Sequence, residues 1–140
     1  PRLKAVNLSI FFPEDVDARF SKIFSDARDN AEWRGILPAD DERLLVERGS
    51  DDMPLHYRYV LDLDGTTLST DRPYSLLATG AVLFKQNSGL EPWLYSYAPY
   101  TGAELRPFEH FLPVAADLSD LQEKLRWARA NPDKCEKIAA

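Results

Sequence analysis

Residues 57–86 read YRYVLDLDGTTLSTDRPYSLLATGAVLFKQ, and this stretch decides the fold. Its opening, residues 57–63, is a nearly unbroken apolar and aromatic run of Tyr57, Tyr59, Val60, Leu61 and Leu63. A strand covered on both faces needs such continuity rather than alternation, and parallel sheets are covered on both faces. Asp64-Gly65 closes the run as a turn signal. After a polar stretch, residues 73–78 read as a short helix with Pro73 in its first turn, where the missing N–H has no helical partner to lose. Gly80 ends that helix, and residues 81–84 make a second strand. Strand, helix, strand in so short a span predicts a right-handed parallel crossover.

Outward from this unit, residues 108–114 read as a third strand of the sheet. Ser119 and Gln122 form a capping box for the next helix, with Leu118, Leu121, Leu125 and Ala128 as its buried stripe. Asn131 and Pro132 are an N-cap and first-turn pair for a last helix through Ala139. Toward the start of the chain, residues 4–10 read as a strand, with Leu3, Val6, Leu8 and Ile10 supplying apolar positions. Residues 15–28 read as a helix with Val16, Phe20, Ile23, Phe24 and Ala27 on one face. Residues 30–56 are punctuated by Gly35, Pro38, Gly49 and Pro54 and read as a surface excursion. Residues 87–104 form an insertion rich in Pro and aromatic residues. The whole is expected to be one α/β domain over residues 1–140, a three-layer Rossmann-like unit with a short parallel sheet.

A chain of 140 residues with a net charge of -6 and scattered Lys and Arg excludes broad nucleic-acid binding, which needs clustered cations. The single cysteine, Cys135, allows no internal disulfide, and His56 and His110 stand apart from any zinc-ligand spacing. No stretch reaches the ~18 apolar residues of a membrane span. The chain opens directly on Pro-Arg-Leu-Lys, which reads as a segment of a longer protein.

Chemistry is concentrated where the first strand ends. Asp64, Gly65, Thr66, Thr67 and Ser69 would lie at the carboxyl edge of the sheet, where open α/β sheets bind ligands. Gly65 lets the backbone approach a ligand closely. Arg72, at a helix start, is suited to a diphosphate. The bland alternative is a strand, a turn and a surface arginine. Lys85 and Gln86 at the second strand's end are read as ligand contacts or as solvated residues. His110 is expected to pack within the third strand, and Trp127 in the core. The tyrosines and tryptophan of residues 92–100 offer a sugar-stacking surface, though packing is favoured. Asn7-Leu8-Ser9 is a formal glycosylation sequon set in a predicted strand. Asp62-Leu-Asp64-Gly-Thr66 also fits the D-x-D-x-T pattern of haloacid-dehalogenase-like phosphatases. There Asp62 would be the nucleophile and Asp64 the acid/base, with Mg²⁺. The later acidic pair that such enzymes need is missing, since Asp117 and Asp120 flank a helix start.

The order of four blocks resembles glycosyltransferase family ninety, the Rumi-like protein O-glucosyltransferases and capsule-associated xylosyltransferases. Residues 57–65 resemble "kYkYlldlDG" and residues 72–86 "RfpyLLasgSlvfKQ". Residues 105–114 resemble "LkPWvHYiPV" and residues 117–128 "dLsDLleklkWa". The likeness covers residues 57–139, and residues 1–20 more loosely. It implies the C-terminal, donor-binding half of a two-domain GT-B-type enzyme. It implies inverting transfer of glucose or xylose from a UDP-sugar to a protein or polysaccharide hydroxyl, with no metal or other cofactor, in the lumen of the endoplasmic reticulum or Golgi. By the same likeness Arg72 matches the diphosphate-contacting arginine, and residues 65–69 the loop beside the nucleotide. Arg2 matches an upstream phosphate-contacting arginine and Glu91 an acidic residue of "yyEwfY". Four departures stand out. Residues 65–72 are one residue longer than usual, Phe108 replaces a Trp, residues 87–104 are longer, and no position matches the catalytic aspartate. The acceptor and the base are therefore expected from an N-terminal half, and this chain alone is expected to be inactive. A non-catalytic module binding sugar nucleotides or a partner is the remaining alternative.

Overall fold

The structure is a computed structural model that describes residues 2–18, 53–64, 72–89 and 105–140. They belong to two compact units, one within residues 2–50 and one within residues 51–140.

In the first unit, helix α1 spans Arg2–Phe11, which corrects the strand expected over residues 4–10. Leu3, Val6 and Ile10 recur at i, i+3 and i+7, a helical spacing. The neighbours Ala5 and Val6 are both buried, whereas a strand would send them to opposite faces. The Asn7 sequon thus lies on a helix, with Asn7 and Ser9 half-buried. The Ser9 hydroxyl accepts the N–H of Ala18 at 3.1 Å. Residues 13–15 form a turn in which the N–H groups of Asp15 and Val16 both donate to the Phe12 carbonyl at 3.0 Å. Residues 16–18 are not helical, so the helix expected from Asp15 does not start there. Residues 19–28 of that expectation lie outside the described residues.

The second unit is built on a parallel sheet of three strands in the order β1 (Tyr59–Asp62), β2 (Val82–Asn87), β3 (Leu112–Ala115). Tyr59 pairs with Val82 and Asp62 with Lys85, while Phe84 pairs with Leu112 and Asn87 with Ala115. Helix α2 (Arg72–Leu77) connects β1 to β2, and Gly80, at φ 72°, turns the chain out of it as no β-carbon-bearing residue readily would. Helices α3 (Leu121–Ala130) and α4 (Pro132–Ala139) follow β3.

Strand β2 is buried on both faces over residues 82–86, as a central parallel strand should be. Strand β1, which its apolar run marked as the strand covered on both faces, instead alternates between half-buried and buried residues and lies at the edge of the sheet among the described residues. On one face Val60 and Leu83 form a core with Leu76 of α2, Ala81 and Phe111. On the other, Val82, Phe84, Leu112 and Val114 are at most 2% exposed. Leu118, Leu121, Leu125 and Ala128 are buried as the expected stripe, and α3 and α4 neighbour β3 and β2. Covered faces on both sides of one sheet make three layers.

Two helix starts depart from expectation. The capping residue of α3 is Asp120, without a side-chain cap. Its Oδ1 instead accepts the N–H of Ala115 at 2.8 Å, holding the end of β3. Asn131 precedes Pro132 as expected but also makes no side-chain cap. Its Nδ2 donates to the Trp127 carbonyl at 2.9 Å and ties the two helices. The third strand starts later than residue 108 because Phe108 sits at φ 64°, a left-handed conformation that no strand contains. The residues around it form a turn in which His110, exposed, accepts the Arg106 N–H on Nδ1 at 2.9 Å rather than packing in the strand. Trp127 is half-buried, its ring edge-to-face with Phe108 at 6.0 Å.

Cys135 is 1% exposed, and its thiol donates to the Ala128 carbonyl at 3.4 Å. Burial pushes the thiol above its ordinary pKa of 9.0, against a smaller downward pull from Arg58. A raised folded-state pKa means that, as pH rises past 9.0, the unfolded chain releases this proton first. The thiol's contribution to stability is full below that pH and falls above it. Denaturant melts at rising pH should show a smaller decline in Cys135→Ala than in the parent.

Candidate functional site

The described site lies at the carboxyl edge of the sheet, where β1 runs out. Alternation along β1 puts Val60 and Asp62 on the face that α2 covers. Asp62 is the strand's last residue and only 1% exposed. A buried carboxylate needs a charged or hydrogen-bonded partner, and the first residue of α2 provides it. Arg72 Nε donates to Asp62 Oδ1 at 2.7 Å, and Arg72 Nη2 donates to the Leu63 carbonyl. The Arg72 side chain is still 43% exposed. A guanidinium carries five N–H donors in a planar fork, and these contacts occupy one edge of it.

A second pair sits beside the first. Lys85, in register with Asp62, donates from Nζ to Asp64 Oδ1 at 2.9 Å and to the Gln86 carbonyl at 3.1 Å. The Ser88 hydroxyl donates to Asp64 Oδ2. Gln86 spans all three strand ends: its Oε1 accepts the Asp64 N–H at 3.0 Å, and its Nε2 donates to the Ala116 carbonyl at 2.6 Å. Lys85 and Gln86 are 5% and 3% exposed, so neither is the solvated strand end that was one reading of them.

The structure thus brings Arg72, Asp64, Lys85 and Gln86 together. Arg2 lies on α1 in the other unit. Gly65, Thr66, Thr67, Ser69 and Glu91 lie outside the described residues, as do residues 90–104 of the aromatic insertion. Sequence reasoning missed the Leu63 carbonyl and the Ser88 hydroxyl. The sequence leads to a buried Asp62 tied to donors near the sheet edge, as it is, but does not name Arg72 as that donor. The usable signal for Asp62 was its parity with Val60, which aims it at the helix that Arg72 begins.

Among the described residues, each of the two carboxylates is paired with a cation, Asp62 with Arg72 and Asp64 with Lys85. This arrangement disfavours the phosphatase pattern, because a phosphate-accepting Asp62 would have to leave both its burial and its guanidinium. Among the described residues no helix is long and apolar enough to cross a membrane.

The family model of glycosyl transferase family 90 matches residues 1–140. The chain belongs to glycosyl transferase family 90. Protein O-glucosyltransferase 2 of Danio rerio is 39% identical over 83 residues, covering 59% of this chain and 15% of the relative. Protein O-glucosyltransferase 3 of Homo sapiens is 36% identical over 83 residues, again 59% of this chain and 15% of the relative. Protein O-glucosyltransferase 1 of Rattus norvegicus is 28% identical over 132 residues, covering 91% of this chain and 28% of the relative. The chain therefore spans between about one seventh and one quarter of these relatives' length. Family membership replaces the phosphatase reading and makes glycosyl transfer the chemistry to consider.

Proposed function

We propose that this chain forms the nucleotide-sugar side of an inverting glycosyltransferase, one half of a GT-B-type pair of domains. The donor is a UDP-sugar, UDP-glucose or UDP-xylose, and the acceptor is a protein or glycan hydroxyl. The observation that carries this reading is Arg72. Its guanidinium is held at the carboxyl edge of a parallel sheet, the ligand-binding edge of such sheets, and remains 43% exposed on its side chain.

In the reaction, the acceptor oxygen forms a bond to C1 of the sugar while the bond from C1 to the diphosphate oxygen breaks. Negative charge grows on the departing UDP, and Arg72 stabilises it where it develops. Deprotonation of the acceptor falls to a carboxylate outside this chain. By the family likeness, residues 65–69 are the loop beside the nucleotide, Glu91 is a further donor contact, and Arg2 is matched to a phosphate-contacting arginine. Lys85 and Gln86, taken up by Asp64 and Ala116, serve the donor by fixing the edge on which Arg72 stands. No metal is required, and the work takes place in the secretory lumen.

Calorimetry with UDP and ADP tests the reading. UDP should bind at micromolar to millimolar affinity and ADP more weakly. Equal or tighter binding of ADP would sink the proposal. Sugar transfer by the native polypeptide that carries this chain separates an enzyme from a module that only binds.

A further inference from the structure

We infer that Asp62 is a positioning residue for the donor diphosphate, acting through Arg72; the inference rests on the proposed role of Arg72. Asp62 is too buried, at 1% exposed, to meet a ligand itself. Its contact is with Nε, on the flank of the guanidinium. The Leu63 carbonyl takes Nη2 from the same stretch of chain. Two acceptors along one edge fix both the plane and the direction of the fork, so its other edge faces outward in one orientation. A free arginine would have to give up its rotamer freedom when a diphosphate binds, and an arginine already held gives up less. A partly buried ion pair is also a poor device for stability alone, since an apolar pair would serve as well or better. Its value here is orientation.

The test is a double-mutant cycle in the native polypeptide that carries this chain, with UDP and uridine as ligands. Uridine lacks the diphosphate and reports on the nucleoside pocket. Asp62→Ala should weaken UDP about tenfold and leave uridine unchanged. Asp62→Asn, whose amide oxygen can still accept the Nε–H, should lose less and serves the same cycle if Asp62→Ala does not fold. Added to Arg72→Ala, either Asp62 substitution should cause no further loss of UDP affinity. An equal loss for uridine, or a full further loss in the Arg72→Ala background, overturns the positioning role and leaves the donor reading standing. Unchanged UDP affinity in Arg72→Ala alone removes the donor reading and the positioning role together.

Discussion

Arg72→Ala is expected to lower UDP affinity ten- to hundred-fold and to cost stability as well. Hydrogen bonds to charged groups contribute about 1.5–3 kcal/mol, and each 1.4 kcal/mol is about tenfold in affinity. The stability loss arises from Asp62, which is 1% exposed and takes Arg72 Nε on Oδ1. Removing the guanidinium leaves a buried carboxylate short of its cation, a loss of about 1–3 kcal/mol. The lower half of that range is expected, because the Arg72 side chain is 43% exposed and water can enter where it stood. The two effects can be separated. Asp62→Asn in the Arg72→Ala background removes the stranded charge and should restore much of the denaturation midpoint, with UDP affinity still low. Arg72→Lys should recover part of the affinity, since an ammonium supplies charge but not the paired fork geometry. Affinity that returns together with stability in the double variant would make Arg72 a structural residue. Affinity unchanged in Arg72→Ala would remove it from the donor site.

The parallel unit was legible because its signals are local and agree with one another. An apolar run, a Pro at a helix start and a Gly at its end leave little choice for residues 57–86, although the run's continuity overstated the burial of β1, which alternates between half-buried and buried residues. What the sequence did not expose is where each polar side chain goes. Ser119-x-x-Gln122 has the pattern of a capping box, yet α3 starts one residue later, at Leu121, and Asp120 is taken up by the end of β3. Asn131 has the identity of a cap and instead bonds back to Trp127. Both side chains bond to backbone groups four or five residues upstream instead of capping the helix that follows them. The helix α1 was mistaken for a strand because its apolar positions satisfy period two at Val6, Leu8 and Ile10 as readily as period 3.6 at Leu3, Val6 and Ile10. Phe108 broke the third strand through a left-handed turn that composition does not announce, since a bulky residue there is uncommon. At the site, Arg72 and Asp64 were singled out from their place after a strand. The pairing of Asp64 with Lys85 depends on the β1–β2 register, in which Asp62 faces Lys85. Register is a property of two strands together, so neither strand's sequence states it.

The largest stability effect at the site should come from the second pair. Lys85 is 6% exposed on its side chain and Asp64 15%, with 2.9 Å between Nζ and Oδ1. Lys85→Met keeps the apolar stem and removes the ammonium. Asp64 then keeps its Ser88 hydroxyl but no longer has this cation, in a position that water reaches poorly. Breaking a buried pair from one side is expected to cost on the order of 3 kcal/mol. Lys85→Met with Asp64→Asn leaves neither charge stranded and should recover most of that loss, because paired replacement of a buried ion pair is often neutral. The Asp64 N–H still has Gln86 Oε1 as its acceptor in both variants, so the strand ends stay clipped and the comparison isolates the charge. Urea denaturation of the parent, the single and the double variant checks this. A double variant no more stable than Lys85→Met would show that the loss came from packing around the lysine stem. A parent-like Lys85→Met would show that Asp64 is adequately served by Ser88 and solvent, and that Lys85 does not hold the strand edge beneath Arg72.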